Sequence, residues 1–167
     1  MTATWLPYEL RPDTPREGVE RPEYARPHGH LEAMAAETGL TLKRGSRLIN
    51  SRLALSTAEF GREHGRFDQV HRALLKGHWE QTVDLSSLDD LVRIGVESGL
   101  DGAALRGALA AGTYESLLDE HRAEAESIGV SAIPAHIVGD RYLLVGAHPY
   151  ETFIEVLDKL KAEPPAD

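Results

Sequence analysis

Eight histidines and no cysteine bound the chemistry open to this 167-residue chain. Without a thiolate there is no attacking group for a disulfide sulfur, no structural disulfide and no thiolate metal site. His, Asp and Glu remain as the strong ligands. His64, His71 and His78 recur every seven residues, which on one continuous helix would set them along a stripe. Residues so spaced lie about 10 Å apart along the axis, too far to share one ion, and Gly77 is expected to end the helix before His78. No metal site is expected. His71, beside Phe67, Leu74 and Leu75, reads as a histidine at the edge of a core. His28 and His30, with Glu32 nearby, adjoin Pro27 and Gly29 and read as surface residues of a loop.

The other chemistry-bearing stretch is Ser131-Ala-Ile-Pro-Ala-His136. Read as structure alone, Ile133-Pro134 shapes the entry to a hairpin. His136 would need a substrate proton within hydrogen-bond reach to act as a general base, so it reads as a polar residue on a half-exposed strand. Tyr142 and Tyr150 read as packing residues with solvated hydroxyls. The chain holds no Gly-rich phosphate loop after a strand, no Gly-x-Ser-x-Gly elbow and no His-Glu-x-x-His pair, so these motifs lend nothing to nucleotide binding, serine hydrolysis or zinc proteolysis.

These residues need a scaffold, and the chain is long enough to build one. At 41% hydrophobic content it suits a single domain over 1–167. No stretch is apolar enough to span a bilayer. Met1-Thr-Ala-Thr-Trp-Leu-Pro-Tyr-Glu-Leu10 has neither a basic start nor an unbroken apolar run, so the expected location is cytoplasmic. A net charge of −9 opposes binding to nucleic acid, since no basic excess is present to release counterions.

Thr4 to Leu10 alternates bulky and smaller residues, which predicts a short strand, with Pro7 placing it at an edge or bulge. Arg11 to Arg26, with its prolines and charges, predicts an extended excursion. Leu31 to Thr38 predicts a short amphipathic helix closed by a left-handed Gly39. Residues 48–128 form a helical block in pieces: Ser51 to Glu63; from Gly65 to Gly77; from Ser87, capped in a box with Asp90, to near Gly99; from Asp101 to Gly112; and Tyr114 to Ile128. After Gly129 the period changes. Ala135 to Val138 and Tyr142 to Val145 predict strands joined at Gly139-Asp140. Pro149 opens a last helix that presents Phe153, Ile154, Val156, Leu157 and Leu160 to a core.

Trp5-Leu-Pro-Tyr-Glu-Leu-Arg-Pro12, Arg47-Leu-Ile-Asn-Ser-Arg-Leu53, Gly65-Arg-Phe-Asp-Gln-Val-His-Arg-Ala-Leu74, Gly129-Val-Ser-Ala-Ile-Pro134 and Val145-Gly-Ala-His-Pro149 resemble, in order, landmarks of the DsbA-like thioredoxin superfamily in its FrnE-like branch. The resemblance implies an α/β, thioredoxin-like fold with a large helical insertion over 48–128. It also implies thiol–disulfide exchange through a Cys-x-x-Cys at the start of the first helix, a motif this chain lacks. Relatives in the same superfamily, the kappa-class glutathione transferases and hydroxychromene carboxylate isomerases, place a Ser near that position and use glutathione.

In this family the active-site strand and helix precede the segment equivalent to Trp5–Leu10, so the resemblance implies an incomplete fold. The strand it leaves out lies between Thr4–Leu10 and Ala135–Val138, and each buried unpaired backbone group costs about 1–3 kcal/mol. A homodimer or a rearranged sheet is the expected remedy. The resemblance further implies a cis Ile133-Pro134 bond, with the backbone of the preceding residue free to pair with an extended peptide. The expected function is thus redox-inert binding of a peptide or protein partner at Ala132, Ile133, Pro134 and His136, with no catalytic residue and no cofactor. One alternative is a glutathione-dependent isomerase or transferase, for which Ser46, Ser51 and Ser131 are the available hydroxyls. Another is an interaction subunit whose strand comes from a second polypeptide.

Overall fold

The computed structural model describes residues 3–26, 29–43 and 45–162, so His28 lies outside the described residues. Contacts divide the chain into two compact units, residues 1–121 and 122–167.

The first unit is mainly helical. Strand β1 (Val19–Glu20) pairs antiparallel with β2 (Arg47–Leu48), in the register Val19 to Leu48 and Glu20 to Arg47. The excursion expected over Arg11–Arg26 thus contains a two-residue strand and a 3-10 turn at Pro22–Ala25. Helix α1 spans His30–Glu37, which makes His30 the first residue of a helix instead of a loop residue. Gly39 follows it with φ +74°. Helix α2 (Arg52–Glu63), α3 (Phe67–Gln81), α4 (Leu88–Glu97) and α5 (Gly102–Ala111) pack on one another around Phe60, Val70, Leu74, Leu91, Ile94 and Leu105.

Local chemistry sets their ends. The Ser87 hydroxyl accepts from the Asp90 N–H at 3.3 Å, and the Asp101 carboxylate accepts from Ala103 and Ala104 N–H at 2.8 and 2.9 Å. Gly112 closes α5 in the left-handed region. Gly77, in contrast, does not end α3. It sits buried inside the helix, its Cα facing the side chains of Ile94 and Val83, and Thr82 makes the left-handed cap instead. A glycine in a helical pattern need not terminate it, and a Cβ here would make only ordinary contacts, at 3.5 Å with Ile94 and 3.6 Å with Val83.

Thr4–Leu10 is not a strand. Pro7 and Glu9 are its buried residues, whereas Trp5, Leu6 and Leu10 are exposed, so the apolar alternation faces away from the protein. Side chains of α2 hold the segment in place of a ladder. Arg62 Nη2 donates to the Trp5 carbonyl at 2.6 Å, and Arg52 Nη1 donates to Glu9 Oε2 at 2.8 Å. The Glu9 residue is only 2% exposed, and Arg52 also donates to the Glu115 carbonyl and to Asp119.

Helix α6 (Glu115–Ser127) runs across the division between the units. The second unit then forms strand β3 (Ala135–Val138), strand β4 (Tyr142–Val145) and helix α7 (Tyr150–Ala162). The strands pair antiparallel from Ala135 opposite Val145 to Val138 opposite Tyr142. Gly139 and Asp140, at φ +60° and +56°, form the tight turn. A Cβ on Gly139 would meet Leu160 Cδ2 at 2.4 Å, so the turn needs glycine for its backbone and for its closeness to α7. On α7, Val156 is buried and Phe153, Leu157 and Leu160 are half-buried, while Ile154, expected in the core, is exposed.

Packing and charge burial lead to measurable consequences. A Cβ at Gly95 would meet Leu105 Cδ2 at 2.3 Å, and Leu105 is fully buried. Gly95→Ala should destabilise the chain by about 1–3 kcal/mol through overpacking, whereas Gly107→Ala, with open space around the new methyl, should stabilise it by about 0.5–1 kcal/mol. Arg52→Met strands the Glu9 carboxylate and should cost about 3–5 kcal/mol. Urea unfolding of the three variants measures each value.

Candidate functional site

The Pro134 loop is positioned by how α6 ends. Gly129 adopts φ +92°, Val130 N–H donates back to Ala125 O at 2.9 Å, and buried Val130 anchors the exit of the helix. The next four residues, Ser131 to Pro134, are all exposed. The Ile133–Pro134 peptide bond is cis.

Gly146 N–H donates to Pro134 O at 2.7 Å, which extends the β3–β4 pairing by one residue pair. This bond fixes the parity of the ladder. In an antiparallel pair, hydrogen-bonded positions alternate, so His136 and Val138 direct their backbone groups at β4, while Ala135 and Ile137 direct theirs away from it. Among the described residues the sheet has only these two strands, so the outer edge of β3 is unpaired. Ile133 and Ile137 are each 50% exposed along this segment.

Side chains alternate in the same way. His136 turns toward α7, where its ring meets Phe153 edge to face at 4.9 Å. Its Nδ1 is buried without a partner among the described residues. Ile137 lies on the opposite face of the strand. The structure therefore brings Ala132, Ile133 and Pro134 together at the surface and turns the fourth predicted residue, His136, into the packing against α7. Ile137 was missed by sequence reasoning. Its signal was available in the strand period, since residue 137 shares the face and the outward backbone direction of residue 135.

The other candidates are dispersed. Ser46 Oγ donates to Glu20 Oε2 at 3.2 Å, Ser51 is the N-cap of α2 without a side-chain cap bond, and Ser131 is on the Pro134 loop. The histidine stripe is broken between two helices: His64 caps α2 and stacks on Phe60 at 4.0 Å, while His71 and His78 lie on α3. Among the described residues no group of three His, Asp or Glu side chains is placed to hold a metal ion. None of their helices is long and apolar enough to cross a membrane.

His71 lies between Trp5 and Phe67, with ring centroids 5.1 Å from each. Burial holds its pKa below the usual histidine value, the Arg62 charge adds to that, and Asp68 opposes it. Burial also lowers the pKa of His78. Tyr114, hydrogen-bonded to Glu63, has its pKa raised by burial and by that carboxylate.

A hairpin and helix carrying a cis-proline loop, preceded by a helical block, define a thioredoxin-like α/β protein with a helical insertion. The family model for the DSBA-like thioredoxin domain matches residues 2–158, and the chain belongs to that family. A probable DsbA oxidoreductase from Streptomyces coelicolor superposes with a TM-score of 0.81 at 22% identity, over 95% of this chain and 75% of that one. A candidate protein disulfide isomerase from Nitrosomonas europaea gives a TM-score of 0.63 at 17% identity, over 81% of this chain and 72% of its own. The uncharacterised Bacillus subtilis protein YwbO is 26% identical over 143 residues, which is 81% of this chain and 71% of YwbO.

A neutral histidine is favoured in the folded chain, so the unfolded chain binds more protons once the pH drops toward the ordinary value of 6.5. Stability should be intact above about 6.5 and fall as the pH drops from there through the folded-state values. His71→Gln should flatten part of that decline in urea unfolding measured across the range, and an unchanged slope would contradict the assignment.

Proposed function

We propose that this chain performs no thiol–disulfide exchange and instead holds an extended polypeptide segment along the Pro134 loop and the outer edge of β3. The chain belongs to a family whose solved neighbours include proteins described as disulfide oxidoreductases, yet it contains no cysteine. Thiolate attack on a disulfide has no donor here.

The observation that carries the binding reading is the backbone direction along β3. The N–H and C=O groups of Ala135 and Ile137 face away from β4, at an edge unpaired among the described residues. Strand addition uses such groups for affinity and neighbouring side-chain positions for selectivity. No Lys, Arg, Asp or Glu occurs between Ser131 and Gly139, so the charges that guard many exposed edges are missing from this segment. Ile133 and Ile137 add apolar surface on which alternate side chains of a guest can rest.

A thiol-blocked insulin B chain serves as the probe. Its addition should shift the amide resonances of Ala135 and Ile137 saturably, and Ile137→Lys should weaken binding by about tenfold or more. The purified chain should show no turnover in insulin reduction. Turnover would overturn the inert reading, and saturable glutathione binding at the loop would replace peptide binding with the glutathione-dependent alternative. Concentration-dependent dimerisation abolished by Ile137→Lys would make a second copy of this chain the occupant of the edge.

A further inference from the structure

We infer that residues 3–7 form a strap over α2 and α3 that acid releases, with His71 as the group that works the release. The strap lies in the first unit and shares no residue with the Pro134 loop, so its behaviour is independent of what that loop binds. Residues 3–9 belong to no ladder, and three contacts hold the strap instead. Arg62 donates to the Trp5 carbonyl, Pro7 is buried, and the Trp5 ring lies on His71, which is stacked in turn on Phe67. Past Pro7 the chain is tied more firmly, by the pair that buried Glu9 makes with Arg52 at 2.8 Å. That pair serves as the hinge.

The middle ring of this stack is built for the neutral state. His71 Nε2 is buried with no hydrogen-bond partner among the described residues. An imidazolium donates from both nitrogens, so protonation would place a donor there with nothing to receive it. The charges facing the ring come from two elements. Arg62 of α2 opposes a second cation; it is paired with Glu59 and lies over the Phe67 ring, with Cζ 3.9 Å from the centroid. Asp68, on α3 itself, favours the charged ring, and the strap presents only the uncharged Trp5. Aromatic faces attract cations, but Phe67 is already engaged by Arg62. Burial together with Arg62 outweighs Asp68, so the closed strap favours the neutral ring.

Once the strap lifts, His71 meets water on the side that Trp5 covered and takes a proton near the ordinary value of about 6.5. Falling pH below that value therefore favours the open form, and the closed form is kept above it. Between pH 7.5 and pH 5.5 this linkage raises the open fraction by at most about tenfold. Opening bares Pro7 and the ring of Phe67. It leaves the helices packed, because the hydrophobic core of α2, α3, α4 and α5 contains no residue of the strap.

The absence of cysteine makes the whole chain a clean background for one introduced thiol. Pro7→Cys places it on the buried side of the strap, and Gly107→Cys places it in open space as the reference. The labelling rate of the first divided by that of the second should rise by about three- to tenfold from pH 7.5 to pH 5.5, with an unchanged far-ultraviolet circular dichroism spectrum. In the unsubstituted chain the Trp5 indole N–H resonance, assigned with Trp5→Phe, should move toward its solvent position over the same range. His71→Phe keeps a ring between Trp5 and Phe67 but does not titrate, so it should make both readouts independent of pH; His71→Gln carries the same expectation should the larger ring disturb folding. An indole resonance and a labelling ratio that ignore pH, a rise that persists in the His71 variants, or a rise that comes only with loss of the helical spectrum would overturn the strap.

Discussion

Arg52 is the side chain on which the first unit turns. Burial opposes its charge, and its bonds to Asp119 and Glu9 outweigh that opposition. One guanidinium thereby joins the 4–10 segment, the first turn of α2 and the start of α6 through Glu9, its own backbone position and the Glu115 carbonyl with Asp119. A lysine could not do this, because its single nitrogen lacks the planar fork that reaches several acceptors in fixed directions. The carboxylate of Glu9 is tolerable in so buried a place only because this partner is there. The same arrangement leaves Asn50 free to hold the Thr14 carbonyl, and so the Pro12–Arg16 stretch is fixed against α2 without forming regular structure.

The second unit rests on a different constraint, the geometry of one turn. Positive φ at Gly139 and Asp140 turns the chain within the three residues 139–141 that join β3 to β4, and the missing Cβ at Gly139 admits Leu160 from α7. With the hairpin so fixed, the Pro134–Gly146 bond decides which backbone groups point outward. A shift of one residue would exchange every inward and outward group along β3. The exposed edge is thus a consequence of turn chemistry some five residues away in sequence.

Features set by short-range chemistry were legible in the sequence. Ser87 and Asp101 as caps, Gly112 as a helix stop and Gly139-Asp140 as a hairpin turn depend on neighbours within a few residues, and each appears in the structure. The family resemblance was legible for a related reason, since its landmarks are such local punctuation kept in order. Thr4–Leu10 failed because strand pattern says nothing of a ladder partner, and distant arginines of α2 took up the segment instead. Gly77 failed because a helix interior glycine and a terminating one look alike until Ile94 and Val83 are known to lie beside it. For the site, residues 132–134 could be found from the loop, but the direction of His136 depended on Phe153 of α7.

A reacting group changes what a fold can be selected for. A catalyst gains rate only from contacts that strengthen in the transition state, whereas a binder gains from contacts already complete in the ground state. Main-chain groups of a preformed strand edge are of the second kind, since they are held in position before a guest arrives and lose little entropy on pairing. Exposed Ile133 and Ile137 beside them offer apolar contact without an enclosing wall, which suits extended chains of varied sequence better than one rigid molecule. A cysteine-free chain of the DSBA-like thioredoxin family keeps contacts of this second kind at its strand edge, where no reacting group is needed for them to form.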